Sequence, residues 1–264
     1  MERGIQSPKP LLMVQFRTDE RGKELEQIAI CEKLTPSSNG SLPDILFLSA
    51  FDAENEGRFA HPETLLADVR GVILGGSAEF YFGGNVSPEN DEKHQAMLRR
   101  VSPFIEYLFE HDIPTLGICF GHQLLATFLG ETVATDHKQS ETGSFPVRMT
   151  SDGREDPLFS GMPEYWEAFF MHRDSALGVP KEAVLLASGE RSLVGAFRYK
   201  TRVYGVQFHP ELDRQDHEER VRLHPEYITG DVEDFLASLD WVPHARQILW
   251  NFVAITEKFA FERI

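Results

Sequence analysis

The chain has 264 residues, 41% of them apolar and 26% charged, which excludes disordered and collagen-like chains and leaves enough apolar mass for a sizeable core. Lys and Arg number 26 against 42 Asp and Glu, a formal net charge of −16; such a field repels phosphate backbones and anionic headgroups, so neither nucleic acid nor a membrane is an expected partner. The apolar runs are shorter than the roughly 20 residues a membrane span needs, MERGIQSPKP at the start has no apolar signal core, and the expected address is cytoplasmic.

In chain order, LLMVQF at 11–16 reads as a buried strand, 20–34 as a charged helix, and DILFLS at 44–49 and GVILGG at 71–76 as further strands. The segments 36–43 (PSSNGSLP) and 51–62 (FDAENEGRFAHP) read as linkers. Between 91 and 111, Met97, Val101, Phe104, Ile105 and Leu108 recur three and four apart, which predicts a helix with one apolar face. Pro114 opens another buried run, PTLGICF, and GHQLLATFLG then reads as a helix closed by Gly130. From 131 to 207 the chain is strand-rich (FPVRM, YWEAFFM, AVLLAS, LVGAFRY, RVYGVQF), and a last helix spans 245–259. The alternation predicts an α/β fold: one domain, a mainly parallel open sheet and helices on both faces. Reactive groups then belong at the carboxyl ends of the strands.

Two motifs fall at such ends. Gly117-Ile118-Cys119-Phe120-Gly121-His122-Gln123 has the form G-x-C-x-G, a cysteine version of the nucleophile elbow. There the flanking glycines allow close backbone approach, and the helix N-terminus favours thiolate over thiol. Cys31, inside a helical run, reads as packing, and two cysteines cannot form a disulfide framework. Phe208-His209-Pro210-Glu211 closes the last strand. A cysteine nucleophile needs a base and the base needs an orienting acceptor; with Pro210 holding the backbone extended, Glu211 can reach the His209 imidazole. A second copy, His224-Pro225-Glu226, follows a charged helical run and is expected at the surface. Acyl transfer also needs donors for a developing oxyanion. The glycine pair Gly75-Gly76 at a strand end offers one backbone N–H and Phe120 another.

Together these residues resemble the class I glutamine amidotransferase (glutaminase) family, in which GICFGHQ is similar to the elbow and FHPE to the His-Pro-Glu segment. The resemblance covers about 11–211, the core of a single domain (about 11–212) followed by a helical extension (213–264); Asn251-Phe252 is similar to an Asn-Phe pair late in the family. It implies a flavodoxin-like glutaminase architecture. It implies Cys119 as nucleophile, His209 as general base and acid, and Glu211 as the residue orienting His209. It also implies Gly76 and Phe120 as oxyanion donors, and Gln123 as a substrate-binding residue. Met171-His172-Arg173-Asp174 is similar to the family's Ser-His-Gly-Asp segment, with Arg173 in place of the glycine, so His172 is a further candidate for substrate contact. No cofactor and no metal are implied.

The expected activity is hydrolysis of the γ-amide of glutamine through a cysteine thioester. The alternative is a free-standing γ-glutamyl hydrolase or peptidase with the same triad; a non-catalytic regulatory subunit would be expected to lack a triad member. The expected partner is glutamine or a γ-glutamyl small molecule, with a synthetase subunit to accept ammonia if the glutaminase works for one. α/β-Hydrolases place the acid before the histidine, the reverse of Glu211 and His209. Metal motifs such as H-E-x-x-H and paired C-x-x-C are absent from the sequence, so His217 and His224, seven apart, are expected on a charged, solvated helix. The acidic stretch 213–240 is expected to serve as a lid or a docking surface.

Overall fold

The apolar runs at 11–15, 71–74 and 115–118 are buried along their whole length, as strands covered on both faces must be. The computed structural model describes residues 9–34, 44–84 and 87–262. Its elements begin with β1 (Leu11–Gln15), α1 (Glu20–Leu34), β2 (Ile45–Ser49), the short helices α2 (Glu56–Ala60) and α3 (Pro62–Leu65), and β3 (Gly71–Leu74). There follow α4 (Pro88–Glu110), β4 (Thr115–Ile118), α5 (Phe120–Phe128), β5 (Val133–Thr135), β6 (Glu141–Met149) and α6 (Ser151–Glu155). Next are β7 (Tyr165–His172), β8 (Asp174–Ala176), β9 (Ala183–Gly189), β10 (Ala196–Tyr199) and β11 (Val203–Val206). The last three are α7 (Arg214–Leu223), α8 (Val232–Ala237) and α9 (Gln247–Glu262).

Nine strands form one sheet in the order β2-β1-β3-β4-β11-β10-β9-β6-β7. From β2 to β11 every pairing is parallel, the expected arrangement. From β11 to β7 every pairing is antiparallel, so the strand-rich stretch adds a wing to the parallel half. The tight turn between β10 and β11 permits only antiparallel neighbours, since a parallel pair needs a long crossover. Alternation along β1 sorts the core: Leu12 and Val14 join α4 and α5 on one face, whereas Leu11 and Met13 join α1 and α9 on the other. Asn251 of α9 donates to the carbonyls of Leu158 and Ser160.

Two expectations about segments change. Residues 51–62 are not an open linker: they fold into helical turns whose Phe59 is buried against Phe104, ring centroids 5.5 Å apart. The acidic composition hid one apolar anchor. The segment 36–43 lies outside the described residues. Helix α4 starts earlier than its apolar periodicity suggests because Ser87 caps it and Pro88 occupies its first position. The extension after β11 is anchored by its own apolar cluster, in which Val221, Leu236 and Leu239 pack with Ala29, Phe169 and Met171. Among the described residues no helix is long and apolar enough to cross a membrane.

Candidate active site

Four adjacent parallel strands, β1, β3, β4 and β11, deliver at their carboxyl ends Arg17, Gly76, Cys119 and His209. Cys119 stands between β4 and α5 with φ 51° and ψ −101°, a conformation costly for any residue with a Cβ and characteristic of functional turns. The surrounding backbone enforces it. A Cβ at Gly121 would lie 2.2 Å from the Leu74 carbonyl oxygen, and one at Gly117 would lie 2.5 Å from that of Gly121. The Cys119 N–H donates to the Val206 carbonyl at 2.9 Å, tying the elbow to β11. Its thiol is buried and donates to the Met171 carbonyl at 3.7 Å.

His209 is fixed by its own N–H, which donates to the Phe169 carbonyl at 2.8 Å. Its Nδ1 lies 2.7 Å from Glu211 Oε1, both side chains being buried. With Nδ1 so engaged, Nε2 is the nitrogen left to meet Cys119, to which the imidazole is hydrogen-bonded. Burial disfavours the imidazolium, but Glu211 and Cys119 outweigh it and push His209 up to about 9. Burial likewise disfavours the Glu211 carboxylate, yet His209 and Arg220 hold it down to about 2. The arrangement is that of a nucleophile, a base and an orienting acid.

The other expected site residues fare differently. Phe120 is the first residue of α5, so its N–H has no acceptor within the helix. Gly76 is not an open oxyanion donor: its N–H donates to Glu26 Oε1 at 2.9 Å. Glu26, buried on α1, also accepts from Gln15 at 2.9 Å and pairs with Arg17 at 3.5 Å; a buried carboxylate needs such donors, and the strand-end glycine supplies one. Gln123 donates its side-chain amide to the Asp174 carbonyl at 2.6 Å. His172 lines a cavity, but both ring nitrogens are engaged, Nδ1 with the Asp174 carbonyl at 3.0 Å and Nε2 with Ser192 Oγ at 3.2 Å. Arg173, in place of the resembling family's glycine, lays its guanidinium 3.7 Å over the Tyr81 ring and donates to the Gly84 carbonyl.

The cavity has a volume of about 530 Å³ and is bounded by Tyr81, His172, Arg173 and Arg191 from the core and by Tyr227 and Phe235 from the extension. A second, more enclosed chamber of about 10 Å³ is lined by Arg17, Met171, His209, Arg220, His224 and Tyr227 among others. Tyr227 borders both, and its hydroxyl lies 2.6 Å from that of Tyr81.

The extension therefore departs from the expected solvated helix. His217 is fully buried and stacked on Phe169, ring centroids 4.6 Å apart; burial, with His209 and Arg220 nearby, pushes it down to about 3. Pro225 and Glu226 are exposed, as expected for the second His-Pro-Glu, but His224 is half-buried beside the inner chamber. Cys31 is half-buried on α1. Arg17, Glu26, Arg220 and Tyr227 were not expected at the site. For Arg220 one signal exists: it shares a face with His217 and Val221, spaced as a buried helical stripe. Among the described residues no group of three or more His, Cys, Asp or Glu side chains is placed to hold a metal ion.

A match to the glutamine amidotransferase class-I family spans residues 81–222. The chain is 29% identical over 178 residues to a subunit of glutamine-hydrolyzing GMP synthase from Pyrococcus abyssi, covering 67% of this chain and 87% of that subunit. It is 34% identical over 140 residues to the glutamine-hydrolyzing GMP synthase of Caldicellulosiruptor saccharolyticus, covering 51% of this chain and only 25% of that protein's length. It spans 64% of the corresponding subunit from Methanobrevibacter smithii, at 32% identity over 143 residues, 54% of this chain. Among solved structures, a glutamine amidotransferase of Thermotoga maritima superposes with a TM-score of 0.68 at 20% identity, covering 95% of this chain and 99% of that one.

Proposed function

The chain belongs to the glutamine amidotransferase class-I family, and on that premise we propose that it hydrolyses the γ-amide of glutamine through a covalent intermediate on Cys119. The observation that carries this reading is the strained Cys119 beside a buried His209 whose Nδ1 lies 2.7 Å from Glu211. Cys119 Sγ attacks the amide carbon as a thiolate whose proton rests on His209, and Glu211 stabilises that imidazolium. The oxyanion meets the Phe120 N–H at the start of α5, where the helix dipole adds to the bond. The Gly76 N–H joins it once exchanged from Glu26. As the tetrahedral intermediate collapses, the C–N bond breaks, His209 protonates the leaving nitrogen and ammonia departs. His209 then activates water against the thioester, releasing glutamate and restoring Cys119. This sequence needs no cofactor.

The test is ammonia release from glutamine by the full chain, alone and with a candidate ammonia acceptor. Cys119→Ala should lower that rate by about a thousandfold or more; unchanged turnover would overturn the assignment. Relatives named as one subunit of GMP synthase support the proposal that the acceptor, where one is used, resides on a separate chain.

A second reading, hydrolysis of larger γ-glutamyl amides or peptides by the same triad, is favoured by the cavity of about 530 Å³, which no triad residue lines but which meets the chamber beside His209 at Tyr227. That volume falls in the range of pockets that bury drug-sized ligands, far more than a carboxamide nitrogen requires. Turnover of γ-glutamyl compounds with bulky amide substituents, without ammonia release from glutamine under either condition, would select it. A regulatory subunit without chemistry fits less well, because Cys119, His209 and Glu211 are all present and assembled.

A further inference from the structure

The inner chamber holds an uneven balance of charge. Arg17 and Arg220 both line it beside His209, and both are buried, each about 5% exposed. Arg17 is paired with Glu26 at 3.5 Å. Arg220, projecting from α7, has its nearest carboxylate oxygen in Glu211 Oε1, 3.6 Å from Nη2 and already bonded to His209. Its Nε and Nη2 are buried without a hydrogen-bond partner, as are Arg17 Nε, whose only carboxylate is Glu26 at the ion-pair distance above, and Glu211 Oε2. Buried guanidinium N–H groups left unpaired are rare, because their desolvation goes uncompensated. An array of such donors facing one chamber fits an incoming anion, and a guanidinium fork matches a carboxylate.

We propose that Arg17 and Arg220 form a carboxylate subsite beside His209 that receives the α-carboxylate of a γ-glutamyl substrate. The inference rests on the amide-hydrolase reading above and holds for either of its substrates, since glutamine and γ-glutamyl conjugates share that carboxylate. In glutamine the carboxylate stands a short aliphatic chain away from the amide carbon that Cys119 attacks, which suits a subsite beside the base. The chamber as it stands has room for about one water, so the carboxylate enters when the turn carrying Tyr227 moves off Tyr81. The extension thus contributes recognition to the site as well as cover.

The competing role for Arg220, positioning Glu211 alone, would affect every substrate equally, which makes the two separable. The experiment compares kcat/KM for L-glutamine, or for whichever γ-glutamyl amide the protein turns over, with that for the same compound bearing an α-carboxamide. The wild type should prefer the carboxylate by about a hundredfold. In Arg220→Met the preference should collapse toward parity, with the loss falling mainly on KM, and Arg220→Lys should restore part of it. Thermal melting verifies that the variants fold. Equal losses on both compounds, or no preference in the wild type, would overturn the subsite. L-Glutamate binding to Cys119→Ala by calorimetry gives a reading without turnover: dependence of that binding on Arg220 supports the subsite even if hydrolysis fails, and binding unaffected by Arg220→Met contradicts it.

Discussion

Cys119, His209 and Glu211 lie within one buried hydrogen-bonded unit, and the ionisation of that unit sets how stability depends on pH. Glu211 is held at about 2, below the ordinary Glu value near 4.3, so its contribution is full above that value and lost as pH falls toward 2. His209 is raised to about 9 from near 6.5; its contribution is full below the ordinary value and lost as pH rises through 9. The pair therefore stabilises the fold most between about 4.5 and 6.5. Glu211→Gln should move the alkaline limb of the urea midpoint from near pH 9 toward neutrality; an unmoved limb would show that Glu211 does not hold the imidazolium. These three residues were legible because each sits in a short motif whose local spacing specifies its geometry. The bond from Gly76 to Glu26 was not legible, because Glu26 lies fifty residues earlier and no local pattern announces it. Arg17 was illegible for a related reason, since an isolated arginine looks solvated until another element covers it, and Arg220 was signalled only by the stripe it shares with His217 and Val221.

Among elements, the turn from β4 into α5 is a tight crossing, and its glycines are steric requirements. Gly121→Ala should destabilise by about 1–3 kcal/mol or more, because its Cβ would meet the Leu74 carbonyl, which is backbone and cannot swing aside. Gly57 in α2, with nothing within 4 Å of a Cβ, supplies the contrast: Gly57→Ala should be neutral or stabilising by up to about 1 kcal/mol. Urea unfolding of the two variants checks the pair, and equal effects would contradict the crossing. Strands β1, β3 and β4 were legible from uninterrupted apolar runs, and α4 from its period of three and four. The helical turns at 51–62 were not, since a single buried Phe59 among acidic residues carries no period. Nor was the direction of the strands after β5: β10 and β11 are joined by a short turn, but β6 pairs with β9 some forty residues on.

Across the whole molecule, charge and architecture divide the work. Residues 213–240 carry nine Asp or Glu against three Arg, yet the segment is anchored by Val221, Leu236 and Leu239 and turns one of those arginines, Arg220, inward beside Glu211. Acidity faces outward there while a cationic chamber is kept inside. The parallel half of the sheet brings the nucleophile and base together, and the antiparallel wing supplies Met171, His172 and Arg173 opposite them. The central claim is that Cys119 forms an acyl bond with the substrate during turnover. Rapid acid quench of the full chain turning over glutamine or a γ-glutamyl amide, followed by peptide mass mapping, tests it most directly. The expected result is a γ-glutamyl adduct on the Cys119 peptide that is absent from the Cys31 peptide and from Cys119→Ala. Turnover without an adduct, persisting in Cys119→Ala, would contradict it.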